Sequence, residues 1–345
     1  MKKILFYISI LFALILSEGC YKDKDEFIVT SVEKIPVSSV KSDTIWEDES
    51  KLIIPSGVTV PLLNIEKLIN DLNLPIIKDT FIAEQGGKLE LPDDITFEFP
   101  SFCCVYKNNN QPCKGKLDVE YLVLRTKGEL IAHDKPTVSL GRLLTSGGVV
   151  YLTVKQNGLE VKLAPNKTVK VRFRTKTIES GMLLFEGKSL NRLQFDWFPI
   201  NASTNRDVVS TWADSSQEKK GYQLLLDRFG WINCDKFNEE TNLTNKFCAA
   251  VPDSFTNRNT SIYIAFKDIN SVVKLEGAPL LKQFCIPVSY KGIPIGRQVT
   301  VISISNIDGR YYIATQEVKV EATNNIRLIP QRLTRDEIKK KILNL

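Results

Sequence analysis

From Leu89 onward the chain keeps a two-residue period for most of its length, and that period confines it to β architecture. Leu89, Leu91, Ile95, Phe97 and Phe99 alternate with polar residues, and Leu117, Val119, Tyr121 and Val123 do the same. Successive side chains on a strand point to opposite faces, so this alternation predicts antiparallel strands with one apolar and one wet face. Further short runs follow at 149–154, 159–163, 169–173, 182–185 and 193–197, with turn formers such as Asn157-Gly158, Pro165-Asn166 and Glu186-Gly187 among them. Asn157-Gly158 is the sharpest hairpin signal, because a two-residue type I′ turn needs positive φ at both positions. This density of short strands predicts a β-sandwich over 81–200.

Residues 201–220 are polar and read as a linker. A second β set fills 221–330, with runs at 222–226, 231–234, 261–266, 284–288, 299–305, 311–314 and 326–329. Asp308-Gly309 joins two of them as a hairpin. The period changes at two places. Between Pro61 and Pro75, Leu62, Ile65, Leu68, Ile69 and Leu72 recur every three or four residues, which places a short helix in the segment 51–80. Near the end, Thr334 and Glu337 form a capping box ahead of Ile338, Ile342 and Leu345, so a helix closes the chain within 331–345. The expected fold class is all-β: two tandem antiparallel β-sandwich domains, with a short helix before the first and a C-terminal helix.

The N-terminus points to export. Lys2 and Lys3 precede an apolar run over 4–16, followed by Ser17, Glu18, Gly19 and Cys20. Thirteen residues fall short of the roughly 20 that a membrane-spanning helix needs, so 1–19 reads as a signal peptide. A cysteine directly after a small residue resembles a lipobox, although Ser17 and Glu18 stand where such motifs usually hold Leu and a small residue. The resemblance implies acylation of the Cys20 thiol, a palmitate-type anchor in the outer membrane, and a place in the cell envelope or on the cell surface. Residues 20–50 form the tether. Its charged start, Tyr21-Lys22-Asp23-Lys24-Asp25-Glu26, resembles the stretch after the anchor cysteine in surface-exported lipoproteins of Bacteroidota-type bacteria. Two lysines and one glutamate leave with the signal peptide, so a formal charge of +6 becomes mildly lower. Basic and acidic residues are interspersed, and nucleic acid is not an expected partner.

The middle of the chain resembles a recurrent exported Bacteroidota domain. The residues that carry this are Gly86-Gly87, Phe99-Pro100, the strand over 117–124, the polar stretch 137–139 and Leu144-Thr145-Ser146-Gly147-Gly148. It is also similar to the β-sandwich of ankyrins and netrin receptors. Some relatives of that sandwich cut themselves at His-Phe-Ser; here Asp134 and Lys135 follow His133, so the nucleophile is missing. The run Phe229-Gly230-Trp231-Ile232-Asn233-Cys234-Asp235 and the stretch from Ile293-Pro294 to Tyr311 resemble the domain that commonly follows in the same lipoproteins. No activity travels with that resemblance.

Six cysteines remain besides Cys20. Cys103 or Cys104 with Cys113, and Cys234 with Cys248, are the disulfide candidates, since each pair closes a local polar loop; Cys285 reads as a small core residue. With one His and no C-x-x-C pair, no metal site is expected, and no cofactor. His133 is read as a surface loop residue, and no catalytic residue is assigned. The sharpest pattern is Lys170, Arg172, Arg174 and Lys176, which would line one face of a strand. That row either contacts a polyanion, such as an acidic glycan or lipid head group, or is structural. A structural row would pair with Asp118 and Glu120 or guard an edge strand. Phe195, Trp197, Phe198, Phe229, Trp231 and Phe237 are core or a sugar-stacking platform. The functional expectation is a membrane-anchored, non-enzymatic lipoprotein that binds a glycan or envelope protein, or serves as a structural envelope component. The alternative is a carboxylate-dependent envelope glycoside hydrolase, which needs two acids brought together in a cleft.

Overall fold

The computed structural model describes residues 44–49, 61–200 and 208–345. Cys20, the segment 1–19 and most of the tether lie outside the described residues. Strands dominate, and the fold is all-β, with three short helices among the described residues. The first part of the chain carries β1 (Ile77–Ile82), β2 (Gly87–Leu91), β3 (Ile95–Phe99), β4 (Lys116–Leu124), β5 (Arg142–Gln156), β6 (Val169–Arg174), β7 (Leu183–Ser189), β8 (Phe195–Pro199), β9 (Val208–Ala213), β10 (Lys220–Leu226) and β11 (Gly230–Phe237). The second carries β12 (Phe247–Ala250), β13 (Thr260–Phe266), β14 (Val272–Ala278), β15 (Gln283–Cys285), β16 (Gln298–Ile307), β17 (Arg310–Lys319), β18 (Asn324–Arg327) and β19 (Gln331–Leu333). Both hairpins form as expected: Asn157 and Gly158 take φ of 52° and 80°, Asp308 and Gly309 of 50° and 76°.

Two sheets face each other in the first part. One has the order β1-β4-β5-β11-β7-β8, the other β9-β10-β6-β3-β2. Their inner faces share a core that includes Leu117, Val119, Leu152, Ile232, Phe97, Val171 and Phe173. The third large sheet, β18-β12-β15-β14-β13-β16-β17-β19, brings Phe247 and Ala314, five strands apart, into a single cluster and so curls over its own core. The β12–β18 pair is parallel, the one exception to antiparallel pairing among the described residues.

The expected linker over 201–220 needs correction. β9 lies within it, and β10 and β11, expected to open the second domain, belong to the two sheets of the first sandwich. β9 is an edge strand and a turn follows it, which accounts for the polar composition as well as a linker would. The described residues belong to one compact unit, Ser42–Leu345.

The expectation of one wet face fails for the central strands of the first sheet. On β4, Leu117, Val119 and Tyr121 enter the sandwich core, while Leu122 and Leu124 face a second core on the other side. Helices α1 (Asn64–Leu72), α2 (Lys127–Ala132) and α3 (Arg335–Leu343) contribute to that second core, together with Tyr263, Ile302 and Ile304 of the third sheet. Trp197 is fully buried there and donates Nε1–H to the Pro136 carbonyl at 2.8 Å. Truncating such a ring costs about 3–5 kcal/mol.

α1 and α3 were expected, and Thr334 and Glu337 form the anticipated reciprocal cap. α2 was not, although Thr126 and Glu129 carry the same signature and make the same cap. Gly128 is required in α2, because a Cβ there would collide with the Ile342 carbonyl of α3. The close approach fixes the residues after α2, His133 to Lys135, between the two β regions.

Candidate functional site

The cationic row of the sequence divides in the structure. β6 is the middle strand of the five-stranded sheet, so it guards no edge. Lys170 is taken by Glu98 of β3, and the Arg172 Nε–H donates to Gln223 Oε1 of β10 at 2.6 Å. Asp118 and Glu120, the expected partners, are on β4 in the opposite sheet, where Lys155 and Lys78 pair with Glu120. Arg174 and Lys176, at and beyond the end of β6, reach a cleft of about 1050 Å³.

The cleft is also lined by the start of α2, the Thr145–Gly147 stretch of β5, the start of β10 and the β13–β14 turn, with Asp93, Glu179, Met182 and Leu345. Several of its ions are already matched. Arg125 pairs with Asp93 at 2.7 Å and holds that carboxyl below its usual range; Lys267 pairs with Glu317, Arg297 with Asp268, and Lys236 with Glu179. Lys127 donates to the Phe266 carbonyl, and burial lowers its pKa. Arg174, Lys176 and Lys220 have no carboxylate partner among the described residues, Arg174 reaching only the Glu218 carbonyl at 3.5 Å. Among the described residues the wall sets one side-chain acid without an ion pair against these three cations, Glu218, and Leu345 also lines it. Exposed cations without an ion pair suit reversible contact with anionic groups.

Behind the wall lies a buried polar chain. The register shifts by a bulge between Cys234 and Asp235, and Asn233 and Asp235 on either side of Cys234 are both fully buried. Asn233 Nδ2 donates to Asp235 Oδ2 at 2.5 Å, and Ser146 Oγ stands 3.3 Å from Asn233 Oδ1. Burial raises Asp235 to about 7, only partly countered by hydrogen bonds from Ser146, Asn233 and the Gly147 amide. Its other oxygen, Oδ1, has no hydrogen-bond partner among the described residues.

His133 is not a surface residue. It caps the C-terminal end of α2, is 7% exposed, and accepts the Leu74 N–H on Nε2 at 2.8 Å. Burial, with Lys135 and Lys339 nearby, lowers it to about 4, so the ring is neutral. It lines a cavity of about 240 Å³ between the two β regions, together with Lys135, Arg192, Lys274, Phe195 and Trp231. An adjoining lobe of about 330 Å³ shares Asp134, Gln194, Phe195 and Lys274 with it and adds Glu49, Glu276 and Asp196. Burial and the charge of Glu49 raise Glu276 to about 7, and burial raises Glu49 and Asp196 as well. These acids, from segments far apart in sequence, carried no signal in the chain.

The cysteines differ from expectation. Cys248 is bonded to Cys285, not to Cys234, because these two are register partners on β12 and β15. Cys103, Cys104, Cys113 and Cys234 are free and buried in the sandwich core, and burial raises the thiols of Cys113 and Cys234. The structure brings none of them to His133, which faces the other core. The aromatic set also divides: Phe195, Trp197, Trp231 and Phe237 join the second core, Phe229 packs on the first, and Phe198 meets Lys188 at 5.7 Å. Lys135 already covers Phe195 and Trp231, at 4.1 and 4.8 Å from the ring centres, so no open sugar platform forms there.

No protein-family model, no curated protein and no solved structure matches the chain.

Proposed function

We propose that this chain is an exported, lipid-anchored and non-enzymatic binding protein of the bacterial envelope whose cleft holds an acidic glycan. The observation that carries the binding reading is the convergence of Arg174, Lys176 and Lys220, without carboxylate partners, on a cleft of about 1050 Å³. The backbone brings the three exposed side chains to one wall, where they can meet the carboxylates or sulfates of a polymer. The anchor reading rests on Lys2, Lys3, the apolar run and Cys20, and the Bacteroidota resemblance supports the same setting.

Affinity electrophoresis tests the cleft. Gels containing polygalacturonate or a sulfated glycan should retard the protein, dextran should not, and salt should weaken the effect. A triple variant, Arg174→Glu with Lys176→Glu and Lys220→Glu, should run unretarded. Equal retardation of that variant, or none of the wild type in either acidic gel, would sink the reading. For the anchor, Cys20→Ser should abolish labelling by a fatty-acid probe; retained labelling would refute it.

A second reading, a carboxylate-dependent glycoside hydrolase, draws on Glu276 at about 7 beside Glu49. An acid held protonated near neutrality next to another carboxyl suits general-acid work. Release of reducing ends from a glycan, lost in Glu276→Gln, would favour that reading over the first.

A further inference from the structure

The cavity between the two β regions holds charges that the cleft does not use, and its cations can be matched one by one. Arg192 is taken by Glu66 and also donates to the Pro61 carbonyl at 2.7 Å. Lys274 is taken by Asp134 at 2.7 Å and by the Leu193 carbonyl at 2.8 Å. His133 is neutral and holds the Leu74 amide. Lys135 is left over. Its ammonium stands between the Phe195 and Trp231 rings and, among the described residues, has neither a carboxylate nor a hydrogen-bond acceptor. The rings offset part of its lost hydration through their negative faces, but they give its three N–H groups nothing to bond.

The adjoining lobe shows the opposite imbalance. Glu276 accepts from the Gln194 side-chain amide, and Glu49 from the Gly277 N–H at 3.0 Å and Asn257 Nδ2 at 3.3 Å. Neither forms an ion pair among the described residues: Lys274 is paired with Asp134, and its charge only partly counters the burial that raises both acids.

We propose that the two lobes form a small-molecule site, independent of the cleft, that takes a carboxylate on the Lys135 ammonium and an amine towards Glu276. The ligand class is a compact zwitterion. Its carboxylate supplies the acceptors that Lys135 lacks, and its amine adds a cation to a lobe where Lys274 alone faces Glu49, Asp134, Asp196 and Glu276. A second negative charge would meet Glu66, Asp134 and Glu276, so a dianion is disfavoured. An amine alone leaves Lys135 uncompensated.

Four six-carbon probes separate these terms: 6-aminohexanoate, hexanoate, adipate and hexylamine. Titration calorimetry on the full chain should rank 6-aminohexanoate first, hexanoate second, and adipate and hexylamine last. Lys135→Met, which keeps the stem between the rings, should weaken 6-aminohexanoate by at least ~10-fold, the scale of a lost charged hydrogen bond; Lys135→Arg should retain binding. Glu276→Gln should bring 6-aminohexanoate down to the level of hexanoate. In the unmutated protein, 6-aminohexanoate should shield Lys135 from an amine acylating reagent, a readout that needs no variant to fold. Absence of binding by all four probes, equal binding of hexylamine and hexanoate, or unchanged affinity in a folded Lys135→Met protein overturns the proposal. Glycan retardation by the cleft is measured separately, through Arg174, Lys176 and Lys220, so either site can fail without the other.

Discussion

Arg174, Lys176 and Lys220 in the cleft and Lys135 in the cavity are all cations without a carboxylate, yet water treats them differently. The three in the cleft are exposed or nearly so, remain hydrated, and cost the fold little. Lys135 is wedged between two rings, and burial lowers it to about 8. The acids divide along the same line. Asp93, at the cleft rim, is held ionised by Arg125, whereas Glu276, inside the adjoining lobe, is pushed up to about 7. Residue type alone therefore does not tell a recognition charge from a strained one; the degree of desolvation does.

That contrast can be broken most forcefully at Asp134. Replacing it with Ala removes the one ion pair of Lys274, leaving only the partly neutralised acids Glu49 and Glu276 near its charge, and takes away the Oδ1 acceptor to which the Tyr263 hydroxyl donates at 2.8 Å. The expected loss is about 4 kcal/mol in guanidinium unfolding; a loss below about 1 kcal/mol would show that the cavity is wet enough to screen the pair.

Two pH dependences of opposite sign come next. Asp235 is raised from 3.8 to about 7, so the folded protein binds more protons than the unfolded chain across that window. Stability should fall as pH rises from about 4 to about 7, and Asp235→Asn should remove the slope, gaining about 4 kcal/mol above it. His133 is lowered from 6.5 to about 4, so the unfolded chain takes the proton first. Its contribution should be lost as pH falls through that range, by roughly 2 kcal/mol near pH 5, and His133→Gln should flatten it. Denaturant titrations across pH measure both. The smallest effect sharpens the comparison from the other side: the triple charge reversal in the cleft should leave the thermal midpoint nearly unchanged while abolishing glycan retardation.

Much of the fold was legible because its signals are local. Alternation placed the strands, Asn157-Gly158 and Asp308-Gly309 placed the hairpins, and Thr334 with Glu337 placed the last helix. The same local logic shows in Thr126 and Glu129, whose cap fixes α2 and thereby His133, so that element was readable though unread. What could not be read depends on partners distant in sequence. Whether β5 has one dry face or two is decided by a sheet more than a hundred residues later. Cys248 and Cys285, 37 positions apart, meet only through the register of β12 and β15. Of the candidate site, Arg174 and Lys176 were visible as part of a row. Lys220 and the cradle of Lys135 were not, since Phe195 and Trp231 reach it from β8 and β11.

The position of Lys135 against Trp231 also gives the molecule an optical gauge. An ammonium 4.8 Å from an indole ring shifts the energy of the polar excited state and hence the emission colour. Trp46, Trp197 and Trp212 supply the background, Trp197 sealed in the core with its N–H on a carbonyl, so the comparison is made against a Trp231→Phe variant. A change in the fluorescence of the folded protein as pH passes about 8, or as a carboxylate settles on the amine, would report the charge state of the cavity without any label.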